Sequence, residues 1–322
     1  MSSGKKLKST RDGFGEGLLQ AGMENENVVA LSADLTESTR TNFFAEKFPE
    51  RFFQVGVAEQ NLASVAAGMA ALGKIPFITS FAIFSPGRNW EQIRTTIAYN
   101  NSNVKIIGSH AGVVTGADGG SHQMLEDIAL MRALPRITVF SPADFEEAKR
   151  QTLEAAKIKG PVYIRLSRIP IPNLNLDIVC PSKSLRHTII SKCQVGIIAT
   201  GHLVQQAIQA SQELEKEGVM TKILNLSVIK PLDEKTILDF AQNSKALVTA
   251  EDHQLAGGMG SAVAEFLAQN CPVRIEFVAV KDQFGQSGTP EELLRHYELD
   301  AEAIKKAVYK LKSAEVHFLQ MN

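Results

Sequence analysis

One acidic residue, Glu59, lies within the stretch "FFQVGVAEQNLASVAAG" (52–68), where a short β-rich run gives way to a helix of small and apolar residues. Three phenylalanines, Phe77, Phe81 and Phe84, follow around the end of the next predicted strand. A carboxylate that faces an aromatic, poorly hydrated pocket can share a proton with a heterocyclic nitrogen. The alternative is an acid at a helix N-terminus that interacts with the helix dipole and the free amides.

A second group of chemically capable side chains lies in the glycine-rich segment "GSHAGVVTGADGGSHQ" (108–123). It contains His110, Asp118 and His122, and its glycines let the backbone approach a ligand closely. An irregular connection between two elements is the alternative interpretation. The segment is therefore a candidate ligand-binding loop.

The composition limits the classes of partner. The chain has 322 residues with 34 Lys+Arg against 35 Asp+Glu, a formal net charge of -1. This balance gives no global attraction to nucleic acid or anionic lipid, so any anion site has to be local. Cys180, Cys193 and Cys271 are too few and too scattered for a disulfide framework or a zinc site, which favours a reducing compartment.

The N-terminal stretch "MSSGKKLKST" is basic but lacks the apolar run of a signal peptide. No later run approaches the roughly 18 apolar residues of a membrane span. The sequence therefore predicts a cytoplasmic protein without membrane association.

Short runs rich in Val and Ile alternate with longer amphipathic segments, which is typical of a parallel sheet covered by helices. In the first half, strands are predicted at 27–34, 74–81, 103–109, 136–142 and 161–167, and helices near 59–72, 86–101, 123–133 and 143–158. In the second half, strands are predicted at 194–201, 219–228, 245–252 and 273–280, and helices near 203–217, 232–243, 257–269 and 300–312.

The two halves are separated by "IPIPNLNLDIVCPSKS" (169–184), where prolines and turn formers break the periodicity. The predicted fold is α/β with two domains, 1–180 and 181–322, each a mostly parallel sheet flanked by helices. Ligands of such sheets bind at the carboxyl ends of strands. Chemistry is therefore expected in the polar loops of the first domain: 34–42, 81–90, 110–122 and 165–168.

Several motifs, in order, resemble the second half of transketolase. They are "VGVAEQN", "FITSFAIF", "GSHAGVVTGADGGSHQMLEDIALMRALP", "YIRLSR" and "VTAEDHQLAGGMGSA". The resemblance covers nearly the whole chain and implies the pyrimidine-binding and C-terminal domains of a thiamine-diphosphate enzyme. The implied reaction is transfer of a two-carbon ketol unit from a ketose phosphate to an aldose phosphate, as in the pentose-phosphate pathway.

The resemblance also implies roles toward the cofactor. The glutamate matching Glu59 hydrogen-bonds a ring nitrogen of the aminopyrimidine, a catalytic role that a desolvated carboxylate can fill. Phe81 and Phe84 match aromatic residues that stack on or enclose the pyrimidine, with core packing as the alternative. The third aromatic of that pocket falls on Gly87 here, so this wall is open or filled by another residue. Asp34 in "SADLT" matches a polar position on the cofactor side, with loop capping as the alternative.

Further matches imply contacts with the substrate. By resemblance, Asp118 binds a sugar hydroxyl, His122 is catalytic at the reacting end of the substrate, and His110 lies farther out near the phosphate. Three more matched positions belong to the phosphate pocket: Arg11, Ser38 and Arg168. A guanidinium presents parallel donors to phosphate oxygens, although a solvated surface arginine is the alternative at each position.

A complete transketolase also has a domain that binds Mg2+ and the diphosphate through a "GDG" motif followed about thirty residues later by asparagine. The near match "ADG" (117–119) has no such partner downstream, so no metal ligands are predicted in this chain. The resemblance then implies a split enzyme, in which a second polypeptide holds Mg2+ and the diphosphate and thiamine diphosphate lies between the chains. Two copies of each subunit are expected.

Other functions stay open. A β-subunit of a 2-oxo-acid dehydrogenase has the same layout, a 1-deoxyxylulose-phosphate synthase fragment is similar, and a non-catalytic relative could keep the fold as a docking surface. The motifs "SADLT" and "GADGGSHQ" favour transketolase, because they match positions for sugar and phosphate.

The second domain contains a sequence that superficially resembles a dinucleotide fingerprint, "TAEDHQLAGGMGSA". It fails the G-x-G-x-x-G test, because Val263 stands where the third glycine belongs. Gly258 and Gly260 are therefore expected to pack at a helix start, and residues 251–253 to be structural or interface residues.

Overall fold

Parallel strands dominate both sheets of the protein, whose computed structural model describes residues 7–174, 185–187 and 193–320. The strands are β1 Val28–Ser32, β2 Phe52–Gln54, β3 Ile75–Phe81, β4 Lys105–Ser109, β5 Thr138–Phe140, β6 Val162–Arg165, β7 Leu185–His187, β8 Cys193–Ala199, β9 Thr221–Asn225, β10 Val228–Lys230, β11 Ser244–Gln254 and β12 Arg274–Val280. The first sheet has the order β10-β5-β6-β4-β3-β1-β2, and the second has the order β12-β11-β8-β9-β7. Among these described strands, β7 and β10 pair antiparallel with their neighbours and the other pairs are parallel. The predicted α/β class is confirmed.

Helices flank both sheets. They are α1 Thr10–Glu24, α2 Asn42–Lys47, α3 Glu59–Ala71, α4 Trp90–Gln92, α5 Asp127–Arg132, α6 Phe145–Lys157, α7 Leu203–Lys216, α8 Glu234–Gln242, α9 Met259–Asn270, α10 Pro290–His296 and α11 Ala301–Gln320. The short α4 continues as π-helical turns over Ile93–Ala98, and two 3-10 segments occur at Pro49–Arg51 and Val113–Asp118. Each predicted strand and helix has a counterpart with shifted ends, except that the strand predicted over 219–228 is divided into β9 and β10. Within the described ranges, no helix combines the length and apolar character that a membrane crossing demands.

The strands that carry the site are buried on both faces. All five residues of β1 and all five of β4 are buried, as expected of central parallel strands covered by helices on each side. Their carboxyl ends share one edge of the first sheet. The loops that leave this edge therefore lie side by side.

One strand crosses from the second half of the chain into the first sheet. The prediction of a single strand over 219–228 is wrong in this respect: β9 ends at Asn225, and β10 pairs antiparallel with β5, with Val228 opposite Phe140. The lysine at the end of β10 adds to this contact, because Lys230 Nζ donates to the carbonyl oxygens of Arg132 and Leu134.

The two sheets also share apolar packing. One cluster of buried side chains contains Leu31, Ile78 and Ile106 of the first sheet together with Leu224 and Leu247 of the second. The predicted domain boundary between residues 180 and 181 lies outside the described residues, as does Cys180. The exact division of the chain therefore stays a prediction.

Sequence patterns did not predict α1, because glycines at positions 13, 15, 17 and 22 lower its helix propensity. Tertiary contact explains them: a Cβ added at Gly13 would lie 2.2 Å from the carbonyl oxygen of Phe145 in α6. The helix begins with a capping box, in which Ser9 accepts from the Asp12 amide and the Asp12 side chain accepts from the Ser9 amide. Thr10 Oγ1 donates to the Ser167 carbonyl over 3.0 Å, which ties this first turn to the end of β6.

We expect Gly13→Ala to destabilise the protein by about 1–3 kcal/mol, because the added methyl group forces α1 away from α6. Unfolding in urea, followed by circular dichroism, provides the measurement. Gly68→Ala is the matched control, since a Cβ there meets no atom within 4 Å. That change should be neutral or stabilise α3 by about 0.5–1 kcal/mol. Equal stability of the two variants would contradict the close-packing explanation.

Candidate active site

The candidate site lies where neighbouring strands of the first sheet end. Phe81 is the last residue of β3, and His110 directly follows β4. The chain stays paired just beyond the strands, because the Ala82 amide donates to the Ser109 carbonyl over 2.7 Å and the Ala111 amide donates to the Leu166 carbonyl over 3.0 Å. The predicted residues of three separate loops are thereby brought together.

Glu59 is the first residue of α3 and only 1% exposed. Its Oε2 accepts a hydrogen bond of 2.7 Å from Nη1 of Arg88. Its backbone carbonyl accepts from Nδ2 of Asn89 over 2.9 Å. The carboxylate is thus sealed from water and paired with a single guanidinium.

Arg88 is a site residue that sequence reasoning missed. Its side chain is 49% exposed, and its guanidinium carbon lies 4.7 Å from the centroid of the Phe84 ring. The available signal was the replacement of the third family aromatic by Gly87, with a cation next to it. Arg88 therefore lies between the Glu59 carboxylate and the Phe84 ring.

Aromatic rings form the floor of the site. The rings of Phe81 and Phe84 are 6.2 Å apart and inclined by 14°, and the His110 ring stacks 3.9 Å from Phe81. The His122 ring presents an edge to Phe84 at 5.5 Å and 80°. The expectation that Phe77 joins them is wrong: it is fully buried against Phe14, because it lies four residues, or roughly 13 Å, before the end of the strand.

His110 is buried, with a backbone φ of 56°. Burial, followed by the nearby guanidinium groups of Arg11, Arg168 and Arg40, lowers the pKa of His110 to about 3. The ring is therefore neutral at physiological pH. Since a guanidinium only donates, Nε2 accepts from Arg11 over 3.4 Å and the Nδ1 hydrogen faces Ser109 Oγ at 2.9 Å.

Cationic groups gather on this side of the site. Arg11 Nη1 donates to the backbone carbonyl of Ser38 over 2.9 Å, and no described residue accepts from its buried Nε. Burial and then Arg40 lower the pKa of Arg11, a sign of crowded positive charge. Arg40 was also missed, because its approach depends on a turn with φ of 65°. Its Nε is held by Asp12 over 2.7 Å.

Arg168 and Asp118, which the sequence assigns to different parts of a substrate, pair with each other here. Arg168 Nη1 donates to Asp118 Oδ2 over 3.0 Å and to the Thr115 carbonyl over 3.1 Å. Both side chains are more than a third exposed. They therefore remain accessible to a ligand that enters the loop.

Asp34 lies at the end of β1 and is exposed. Its backbone amide donates to Gln54 Oε1 over 2.7 Å, with a φ of 61°. No described hydrogen bond joins it to the other predicted site residues. Within the described ranges, His, Cys, Asp and Glu side chains form no group of three that could hold a metal ion.

Comparisons with known proteins cover both halves of the chain. The family model "Transketolase, pyrimidine binding domain" matches residues 6–173, and "Transketolase, C-terminal domain" matches residues 188–304. A solved structure described as a split-gene transketolase, inactive beta4 tetramer, is 44% identical with a TM-score of 0.86, covering 94% of this chain and 98% of that chain.

Three curated relatives extend the match. A transketolase C-terminal section of Methanocaldococcus jannaschii is 43% identical, covering 94% of this chain and 95% of the relative. A 6-deoxy-6-sulfo-D-fructose transketolase subunit of a Clostridium species is 38% identical, with 94% of each chain covered. One of the apulose-4-phosphate transketolase subunits of Phocaeicola vulgatus is 32% identical, with 92% and 95% covered.

We expect Arg88→Met to lower the free energy of unfolding by about 1–2 kcal/mol, because it leaves the Glu59 charge buried without a partner. The expected loss of stability is smaller than for a fully buried ion pair, because about half of the Arg88 side chain is exposed to solvent. Adding Glu59→Gln should restore much of the loss in a double-mutant cycle measured by urea unfolding. Lys281→Met, which breaks an exposed pair with Glu298, is the control and should change little. Additive effects at positions 59 and 88 would contradict the pairing.

Stability should fall as pH drops below neutrality, partly because of His110. Its pKa is about 3 when folded against an ordinary 6.5, so between these values the unfolded chain binds a proton that the folded chain refuses. Wild type loses unfolding free energy between pH 6.5 and pH 5, and His110→Asn should make this loss smaller by up to about 2 kcal/mol. His202, with a pKa also lowered to about 3 by burial, keeps part of the slope. The free energy of unfolding is measured by urea titration at several pH values across this range. His296→Asn, at an exposed position, is the control. Parallel plots of stability against pH for His110→Asn and wild type would refute the expectation.

Proposed function

We propose a function on one premise: this chain belongs to the transketolase family. It is one subunit of a thiamine-diphosphate-dependent transketolase, which moves a two-carbon ketol unit from a ketose phosphate to an aldose phosphate. A second polypeptide supplies the rest of the active site. The observation that carries the proposal is the buried carboxylate of Glu59, which Arg88 links to the paired rings of Phe81 and Phe84, with a cluster of cationic side chains beside these rings.

The residues present fit the aminopyrimidine of thiamine diphosphate. Glu59 offers a dry carboxylate that already accepts one N–H donor, and the nearly parallel Phe81 and Phe84 rings offer a face for a flat heterocycle. When bound, the cofactor supplies the electron sink that ketol transfer requires. Glu59 holds a proton at the pyrimidine ring nitrogen, and the aromatic floor excludes water from it. Asp34 is assigned to the outer side of the same pocket.

The neighbouring cluster fits the phosphate end of a sugar. Arg11 has an unpaired buried Nε, Arg168 is accessible, and the neutral His110 ring lies between Arg11 and the Phe81 ring. Arginine forks match the geometry of phosphate oxygens. Arg40 adds positive charge behind this group, and Ser38 orients Arg11 through its carbonyl.

The sugar itself would lie between the phosphate group and the cofactor. His122 presents its ring edge to the aromatic floor, and Ser121 Oγ lies 3.0 Å from its Nδ1. We assign His122 to proton transfer at the reacting end and Asp118 to a sugar hydroxyl. Substrate binding would then compete with the Asp118–Arg168 pair and free the guanidinium for the phosphate.

The second polypeptide carries the GDG motif and holds the diphosphate and Mg2+, so that the cofactor is shared across the interface. Support comes from relatives named as subunits or as a C-terminal section, each of which this chain covers almost fully. The expected assembly has two copies of each subunit. A cytoplasmic location remains the proposal made from the sequence.

We expect the preference among sugar phosphates to depend on the cationic end of the cleft, which Arg11, Arg40 and Arg168 form. The names of two relatives specify 6-deoxy-6-sulfo-D-fructose and apulose 4-phosphate, one with a sulfo group and the other with a phosphate as its anionic group. Substrate screening of this protein should therefore include sulfonated as well as phosphorylated ketoses.

The decisive test is a two-carbon transfer assay with thiamine diphosphate and Mg2+, using xylulose 5-phosphate and ribose 5-phosphate. Activity is expected only when this chain is combined with a co-expressed subunit that carries a GDG motif. Glu59→Gln should reduce the rate by at least about 100-fold. Glu46→Gln, at an exposed position of α2, should leave it unchanged.

Other outcomes separate the alternatives. Oxidation of a 2-oxo acid would support the dehydrogenase β-subunit, and condensation of pyruvate with glyceraldehyde phosphate would support the deoxyxylulose-phosphate enzyme. Full activity of the complex with Glu59→Gln would leave this chain as a non-catalytic docking subunit.

A further inference from the structure

Three consecutive titratable residues close the end of β11 and are almost fully buried. Glu251, Asp252 and His253 are 1%, 2% and 0% exposed, although they belong to the second half of the chain. The site of the first half makes no direct use of them. The contacts of Asp252, however, lead to residues 110–123, which we call the histidine loop because it carries His110 and His122.

The Asp252 carboxylate holds the beginning of this loop. Its Oδ1 accepts from the Val113 amide over 3.0 Å, and its Oδ2 accepts from the Val114 amide over 3.5 Å. Buried amides need acceptors, and a carboxylate can serve two neighbouring amides because both of its oxygens accept. One side chain thus fixes two successive peptide groups.

The loop backbone presses closely against this carboxylate. Gly112 has a φ of 89°, and a Cβ added there would lie 1.9 Å from Asp252 Oδ2. Both the backbone conformation and the space at this position require glycine. The contact therefore depends on the residue type at both positions, an aspartate at 252 and a glycine at 112.

Asp252 is itself fixed to the first half of the chain. Arg165, at the end of β6, donates from Nη2 to the Asp252 carbonyl over 2.6 Å and from Nε to Asp127 Oδ2 over 2.9 Å. The Arg165 and Asp127 side chains are 5% and 0% exposed. This arrangement leaves Asp252 little freedom to move away from the loop.

The second half of the chain also forms a hydrogen bond with the end of the loop. Gln123 Nε2 lies 2.9 Å from the Gln286 carbonyl oxygen and 3.1 Å from the carbonyl oxygens of Val113 and Gly116, so its two hydrogens are shared among three acceptors. The loop is therefore tied to the second half at its start through Asp252 and at its end through Gln286. His122 immediately precedes this second attachment.

We propose that Asp252 is a positioning residue, through which the second domain fixes the histidine loop and thereby sets the contacts of His110 and His122 with the Phe81 and Phe84 rings. Asp252 does not itself touch a substrate. The structural part of this inference is independent of the reaction, whereas its consequence for substrate binding rests on the proposed function.

Glu251 provides a matched control. It is the neighbouring residue of the same strand, equally buried, and it too accepts two backbone amides, those of Met259 over 2.6 Å and Gly260 over 2.8 Å. These amides belong to the start of α9 within the second domain, where Gly258 and Gly260 pack closely against Glu251. Glu251→Gln therefore weakens the domain without touching the histidine loop.

The first experiment measures amide hydrogen exchange on the isolated full-length chain. Asp252→Asn leaves one acceptor oxygen for two amides, so the exchange of Val113 and Val114 should become about tenfold faster or more. Glu251→Gln should accelerate the start of α9 and leave the loop as in wild type. Unchanged protection in Asp252→Asn, or equal loosening of the loop by both variants, would overturn the inference.

A second variant approaches the same contact from the loop. Gly112→Ala places a methyl group against the Asp252 carboxylate, and it should also accelerate exchange at Val113 and Val114. This variant keeps the inference testable if Asp252→Asn does not fold. Normal protection in Gly112→Ala would count against the contact.

The last experiment uses the complete two-subunit enzyme. Asp252→Asn should raise the KM for the sugar phosphates about tenfold, while the thiamine diphosphate concentration for half-maximal activity changes less than about twofold, because the loop and not the pyrimidine pocket is loosened. Glu251→Gln should change neither value. An unchanged sugar KM in an active Asp252→Asn enzyme would refute the positioning role. If wild type shows no transfer with any sugar while the exchange results hold, the proposed function fails and the loop attachment stands.

Discussion

A carboxylate sealed from water needs a positive partner, and the edge of the first sheet is arranged around this need at Glu59. The inner face of α3 carries Leu62 and Ala66 into the core, so the helix cannot turn its first residue toward solvent. The guanidinium of Arg88 comes to the acid from the half-exposed side instead, supported on the Phe84 ring. Any ligand that reaches this carboxylate has to displace the guanidinium or share the oxygens with it.

The opposite end of the cleft follows a different electrostatic logic. There the ionisable group nearest the rings, His110, is kept neutral by burial and by the surrounding arginines, and its free lone pair receives a hydrogen from Arg11. A neutral histidine allows guanidinium groups to crowd together without adding a further positive charge. The cleft therefore has a compensated negative charge at one end and three guanidinium groups at the other, of which Arg40 and Arg168 pair with carboxylates and Arg11 with a backbone carbonyl. This excess of cationic groups orients any ligand whose anionic group lies far from its reactive part.

Much of this could be predicted because it depends on local pattern. Alternating apolar runs indicated the parallel sheets, and the polar residues that follow β3, β4 and β6 had to meet at one edge. What was missed depends on contacts between distant segments. The glycines of α1 oppose a helix until α6 packs against them, and neither the turn that brings Arg88 to Glu59 nor the crossing of β10 leaves a periodic signal. Phe77 was expected at the site because it is aromatic like Phe81 and Phe84. Its distance from the end of the strand places it in the core against Phe14 instead.

The crossing of β10 also limits how such proteins can be recombined. A chimera joined in the proline-rich segment after residue 168 would take its second half from another parent, and with it the edge strand Val228–Lys230 and the carbonyl contacts of Lys230. If that strand did not match β5, the first sheet would end in an open row of amide and carbonyl groups, a surface prone to pair with other chains. The unit of exchange in this architecture therefore includes the strand Val228–Lys230 and is larger than a domain defined by contiguous sequence.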